Sequence, residues 1–279
     1  MKLVYLCLTT MMLILAGCGN AARKSGQEQS DAKLLSEQGV QVRQFGAFKV
    51  TWIQDVATKQ SWEIFPDADK SLIDSLGLQD GIPSSISTYL IEKDSCRILF
   101  DTGLGGKNSR LLPLLDSLGL QPDSINYLYL THLHGDHIGG MMNGDDIVFG
   151  HATVFLAKPE YDGWMKMDAE KKAQVVKTMN AYKEQLQFFE FGDTLPGGVI
   201  TIDAVGHTPG HTAYQLENLL IIGDLIHGAA LQMVRPEICP TYDMDKQIAI
   251  KSRKRLLKYA EDNDLVMAGM HLPYPGFME

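Results

Sequence analysis

Thr131-His132-Leu133-His134-Gly135-Asp136-His137-Ile138-Gly139-Gly140 follows directly on the apolar, strand-like run Ile125 to Leu130. Imidazole nitrogens and carboxylate oxygens are the ligands a borderline divalent metal such as zinc prefers. Side chains two apart on a strand share a face, so His132 and His134 point the same way where the strand runs out. Asp136 and His137 come from the following turn and approach from another direction, which suits two adjacent metals better than one. Gly135, Gly139 and Gly140 are expected to let the backbone turn tightly and to keep bulk away from the ions.

The plain alternative is a polar turn whose histidines are capping or exposed, and it predicts no related ligands downstream. Such ligands occur. His207 follows the strand-like run Val199 to Val205, Asp224 follows the apolar run Leu219 to Ile222, and His271 follows Leu265 to Gly269. Metal sites of layered α/β folds are built in this way, at one rim of a sheet.

Around these ligands the hydrophobic patterning predicts strands over 42–56, with 61–65 continuing them, then 87–92 paired with 97–100 through the Lys93-Asp94 turn, and 152–157. It predicts helices over 68–76, 108–118, 159–167, 169–186 and 246–263, several of them stopped by glycine. Phe100 runs into the Gly-rich turn Asp101-Thr102-Gly103-Leu104-Gly105-Gly106, a feature that lines sites often but is weak evidence alone.

Of the 279 residues 45% are hydrophobic and 21% charged, ordinary values for a globular protein. A net charge of −9 argues against a nucleic-acid partner. Residues 1–17 have the form of a secretory signal and end in Leu15-Ala16-Gly17-Cys18, which resembles a bacterial lipobox. That resemblance implies cleavage before Cys18, its lipidation, and a lipid-anchored place in the bacterial cell envelope. Residues 18–41 are polar and read as a flexible tether, leaving 42–279 as the folded domain. Cys96 and Cys239 sit in apolar surroundings and are expected as buried free thiols.

The pattern His132-x-His134-x-Asp136-His137 with His207, Asp224 and His271 resembles the metallo-β-lactamase superfamily. The resemblance covers about residues 43–275 and implies an α+β fold, a four-layer αβ/βα sandwich with the site at one edge. It implies two divalent ions, zinc before Mn, Fe or Co. His132, His134 and His207 would hold the first and Asp136, His137 and His271 the second, with Asp224 between them. His211 would take a structural or supporting role behind the ligands.

Departures narrow the branch. The β-lactamases of this superfamily place Cys or Ser where Asp224 stands, and glyoxalase II carries a C-terminal helical domain. What remains is similar to the lactonase and methyl parathion hydrolase branch, with homodimerisation as an option. Quorum-signal lactonases have Tyr where this chain has His227. His227 is read as contacting substrate rather than as a ligand to a third metal. Trp164 and Phe65 are candidate apolar pocket walls, and Asp101 is expected to orient a ligand histidine.

Two divalent ions and a hydroxide, set against the carboxylates of Asp136 and Asp224, leave about one net positive charge to stabilise an oxyanion. The expected chemistry is attack by a bridging hydroxide on an ester, lactone or phosphotriester of a small-molecule substrate, with Asp136 accepting and returning the proton. Iron-dependent persulfide dioxygenase chemistry, β-lactamase-like amide hydrolysis, and a non-catalytic lipid-anchored binding protein are the alternatives.

Overall fold

In the computed structural model, residues 33, 34 and 36–279 are described, and the expected signal segment, Cys18 and most of the tether lie outside them. Residues 33, 34 and 36–38 belong to the N-terminal unit, in which the Gln38 N–H donates to the Leu34 carbonyl at 3.2 Å. Gly39–Glu279 forms the other unit.

That unit opens with the antiparallel pair β1 (Val40–Phe45) and β2 (Phe48–Gln60). Val40 is buried and lies opposite Ile53, so the sheet begins ahead of the boundary expected at Val42. β3 (Ile82–Lys93) returns along β2, and β4 (Cys96–Phe100) folds back on it around Asp94, whose φ is +54°. Parallel strands β5 (Tyr127–Tyr129), β8 (Thr153–Ala157) and β9 (Leu186–Phe189) complete a seven-stranded sheet in the order β1-β2-β3-β4-β5-β8-β9. Between β5 and β8 stands a small ribbon, β6 (Met142–Asn143) with β7 (Asp146–Ile147).

The second sheet runs β10 (Thr194–Leu195), β11 (Val199–Asp203), β12 (Thr212–Leu216), β13 (Leu219–Gly223), β14 (Val266–Gly269) and β15 (Phe277–Met278), in chain order. The core lies between the two sheets, where Trp52, Tyr89, Phe100 and Tyr129 of the first meet Tyr214, Ile221 and Ala268 of the second. The Lys246–Asp262 helix covers the outer face of the second sheet, burying Leu256 and Ala260 on Leu220, Ile222 and Met267. Helices Leu111–Ser117 and Lys158–Met165 pack against β2 and β8 of the first sheet. This is the expected four-layer αβ/βα sandwich.

Buried phenols need partners, and two of them, Tyr214 and Tyr89, find carbonyls at the site end of the core. The Tyr214 hydroxyl donates to Leu130 O at 2.6 Å, directly before the histidine motif. Tyr89 donates to Gly269 O at 3.1 Å, and the Ser87 hydroxyl to Met270 O at 2.8 Å, directly before His271. The bonds that satisfy the core thus fix the ligand-bearing strand ends.

Three local expectations are corrected. Residues 61–65 form no strand: the Ser61 hydroxyl accepts the Glu63 N–H at 3.2 Å and caps a single 3₁₀ turn, Trp62–Ile64. The helix expected over 169–186 is confined to Ala173–Ala181, and its end becomes β9, because Phe189 is buried between the sheets. β12 was not anticipated, since Thr212, Ala213 and Tyr214 are all buried and show no alternation to read. Both Cys96 and Cys239 are free thiols, Cys239 buried and Cys96 only half-buried.

Candidate metal centre

Each expected ligand stands where a strand or its following turn leaves the sheet rim: His132 and His134 after β5, His207 after β11, Asp224 after β13 and His271 after β14. Asp136 and His137 lie on the short helical turn Gly135–Ile138. The structure brings all of them together. His132 Nε2 and His207 Nε2 each lie 2.9 Å from His134 Nδ1. Asp224 Oδ2 lies 3.0 Å from His271 Nε2, 3.3 Å from His207 Nε2 and 3.7 Å from His132 Nε2. Its other oxygen lies 3.1 Å from His137 Nε2, while Asp136 Oδ2 stands 3.6 Å from His271 Nε2.

The outer hydrogen bonds settle which nitrogen faces inward. His137 Nδ1 donates to Asp101 Oδ2 at 2.7 Å, His207 Nδ1 to Asp243 Oδ1 at 2.9 Å, and His271 Nδ1 to Ser85 O at 2.7 Å. The Thr131 hydroxyl gives its proton to Asp101 Oδ2 at 2.7 Å, so it accepts from His132 Nδ1 at 3.0 Å. A neutral imidazole has one donor and one acceptor nitrogen, so each of these rings, when it carries no second proton, turns an Nε2 lone pair into the cluster. Lone pairs gathered around a carboxylate repel unless a cation lies among them. Consistent with that, His137 Nε2 and Asp224 Oδ1 are buried without any hydrogen-bond partner. The donor set fits divalent metal, and His132, His134, His207 and Asp224 form one group with ligand atoms inside 4.8 Å, while Asp136, His137 and His271 form another.

Burial alone would raise the Asp224 carboxyl, but His137, His271 and His132 around it hold it well below the carboxylate range. Burial also pushes His134 and His211 down to about 3. For His207 burial is outweighed by Asp224 and Asp243, which push it up to about 9. A cluster whose carboxylates stay ionised and draw protons onto His207, His137 and His271 is one in which a bound cation would take the place of those protons.

His211 stands behind the ligands. Its Nδ1 donates to Ala204 O and its Nε2 accepts the Asp224 main-chain N–H, both at 2.9 Å. A Cβ on Gly223 would come within 2.4 Å of that Nε2, so the chain reaches Asp224 through a residue without a side chain, at φ +51°. Asp101, which orients His137, itself adopts φ +58°, strain of the kind that clusters at functional sites.

Some expected residues lie elsewhere. Phe65 is fully buried with Ile73, Ile82 and Leu231 in a satellite core and does not line the cleft. Trp164 does not line it either: its ring meets His134 edge-on at 5.5 Å and its N–H donates to Glu160 Oε1 at 2.7 Å, bracing the ligand from behind. In both cases a large apolar side chain serves packing. Gly139 and Gly140 do not clear space for ions. A Cβ there would stand 2.0–2.1 Å from the Leu104 and Thr102 carbonyls, so they let the Gly-rich turn after β4 lie against the motif.

Sequence reasoning missed Asp243, Ser85 and Glu160. The Glu160 carboxylate is fully buried and accepts from Leu133 N, Trp164 Nε1, the Thr208 hydroxyl and Gly210 N at 2.7–3.0 Å. It thereby ties the loop of His132 and His134 to the loop of His207. The one available signal, a Glu four residues before a Trp, is too common to single out.

The metal cluster opens into a cleft of about 510 Å³ walled by Thr58, Lys59, Gln60 and Ser61 on the β2 side and by Ile86, His227 and Tyr242. Burial pushes the His227 ring down to about 4. Asp136, its side chain 28% exposed, is the carboxylate of the cluster that meets solvent.

A model of the metallo-beta-lactamase superfamily matches residues 81–271, and the chain belongs to that superfamily. Its relatives are hydrolases. An N-acyl homoserine lactonase of Bacillus cereus is 24% identical over 194 residues, covering 60% of this chain and 73% of the relative. Among solved structures, AidC, a dizinc quorum-quenching lactonase, superposes with a TM-score of 0.78 at 26% identity over 86% of this chain and 92% of its own. AbOPH, a hydrolase of the same superfamily, gives a TM-score of 0.77 at 28% identity over 86% of this chain and 92% of its own.

Proposed function

We propose that this chain is a hydrolase that binds two divalent ions, zinc before other metals, and cleaves a lactone or related ester. His132, His134 and His207 would hold the first ion, Asp136, His137 and His271 the second, with Asp224 shared. The observation that carries this is the inward aim of four Nε2 lone pairs around the Asp224 carboxylate. The lactonase names among the relatives support the bond type, with phosphotriester cleavage as a further substrate class to test.

Ions bound there supply Lewis acidity toward a carbonyl oxygen and a water acidified to near neutral pH. The chain's own residues do the remainder. The cleft gives a substrate access to the cluster between the β2 wall and Tyr242. Asp136, at the solvent edge, is placed to take the proton of the attacking water on its carboxylate and return it to the leaving alkoxide. Water oxygen becomes part of the new carboxylic acid as the acyl C–O bond breaks, and that acid releases its remaining proton to solvent.

Metal analysis of protein lacking residues 1–18, with lactone, aryl ester, phosphotriester and β-lactam panels, tests the reading. About two zinc ions per chain and chelator-sensitive lactone or ester turnover is the expected result. One iron per chain with oxygen consumption, or metal uptake without turnover on any panel, overturns it.

We also propose a lipid anchor at Cys18 in a bacterial cell envelope, which the Leu15-Ala16-Gly17-Cys18 sequence supports. Among the described residues no helix is long and apolar enough to cross a membrane. Labelling with a radiolabelled fatty acid in wild type and its loss in Cys18→Ser is expected; equal labelling removes the anchor.

A further inference from the structure

His227 is buried to 1% exposure beside the cluster, yet neither Nδ1 nor Nε2 has a hydrogen-bond partner. Every imidazole carries a donor or acceptor need at both nitrogens, and buried needs of this kind are almost always met. The ring is not loosely placed. It stacks on His271 at 5.0 Å and 24° and stands 4.8 Å from the His207 ring. Its main-chain N–H donates to Gln232 Oε1 at 2.8 Å, and the next N–H to the same oxygen at 3.0 Å, so the loop after Asp224 is held from below.

The aim of the ring is toward the ligands. His227 Nε2 lies 3.2 Å from Asp224 Oδ2, out of line for a hydrogen bond, and His271 Nε2 lies 3.0 Å from that same oxygen. Two donor atoms each about 2.0–2.2 Å from one ion, at tetrahedral to octahedral angles, stand about 2.8–3.6 Å apart. The Asp224, His227 and His271 ligand atoms also lie within 4.8 Å of one another. A second group, His207, His227 and Asp243, has the same compactness, but Asp243 is already engaged by His207 Nδ1 at 2.9 Å and Arg253 at 3.1 Å.

We infer that His227 is an additional metal ligand, binding through Nε2 the ion that His271 and Asp224 hold, rather than a residue reserved for substrate. This rests on the dinuclear reading above. The second ion would then have five protein donors, from Asp136, His137, Asp224, His227 and His271. The first has four, from His132, His134, His207 and Asp224. Four donors suit tetrahedral zinc, whereas five require zinc to expand its coordination, which manganese, iron or cobalt do more readily. The two positions should therefore differ in metal preference.

The test is a stepwise Co²⁺ titration of the metal-free chain followed by visible absorption, in wild type, His227→Ala and His227→Gln, with and without free imidazole. In wild type two binding steps are expected. In His227→Ala the first step stays as tight while the second weakens about tenfold or more, its absorption bands change, and added imidazole restores them. His227→Gln, which keeps a potential oxygen ligand, serves if the alanine variant melts early in the metal-free state. An unchanged second step and spectrum in both variants overturns the inference while leaving the dinuclear reading intact. Wild type that takes up no Co²⁺, or only one equivalent, removes the dinuclear reading and this inference with it.

Discussion

Two of the candidate ligand histidines lean on carboxylates and two on neutral oxygens. His137 donates to Asp101 and His207 to Asp243, whereas His132 donates to the Thr131 hydroxyl and His271 to the Ser85 carbonyl. The anionic partners are themselves held. Asp243 pairs with Arg253 at 3.1 Å, and Asp101 accepts from Thr131 N at 2.8 Å and from the Thr131 hydroxyl. An imidazole backed by a carboxylate is a more basic donor than one backed by a hydroxyl. Both candidate ions would therefore receive one strengthened histidine each, His207 on one side and His137 on the other. The contrast says that support is divided between the ions rather than concentrated on either.

Removing what the ions share should have the largest effect. Asp224→Asn is expected to lower kcat/KM about 10³-fold or more and to bring metal content below one ion per chain, measured by elemental analysis. Near-normal metal content in this variant would break the picture of a shared carboxylate.

Next comes the brace common to both histidine loops. Glu160→Ala leaves four buried donors without an acceptor and should destabilise the fold by about 3 kcal/mol, read from urea unfolding. Unchanged stability would mean that water replaces the carboxylate.

The comparison itself is sharpened by replacing the carboxylates one at a time. Asp243→Asn and Asp101→Asn should each weaken one of the two metal-binding steps about 10–100-fold and spare the other. Loss of both steps together in either variant would show that the supports are not divided. The smallest effect belongs to Thr131→Val, which removes a neutral partner from His132 and should weaken metal binding less than about tenfold.

How much of this could be read in the sequence follows from distance along the chain. His132, His134, Asp136 and His137 sit together after one apolar run, and a local pattern finds them. His207, Asp224 and His271 are isolated, but each follows an apolar strand, so strand ends find them. Asp243, Ser85 and Glu160 carry no such mark. Asp243 lies in a loop, Ser85 contributes a main-chain carbonyl that any residue could supply, and Glu160 sits on a short helix among other charges. Their roles arise only when the sheets close. The same limit explains the pocket: Phe65 and Trp164 are large aromatic residues, and only packing decides that one fills a core and the other braces His134. The Thr58–Ser61 wall belongs to the end of β2, far along the chain from every ligand.

The strand ends that meet at the cluster come from both sheets, and the Tyr214 and Tyr89 hydroxyls already join the sheets close to those ends. Metal held there would act as a removable cross-link between the two halves of the chain. Because the ligands are gathered only in the folded state, free metal would set the unfolding temperature as well as the activity, rising with concentration above the dissociation constant. Starved of metal, this chain would lose rigidity at the rim before it lost its core, so its working stability would depend on the metal supply of its surroundings.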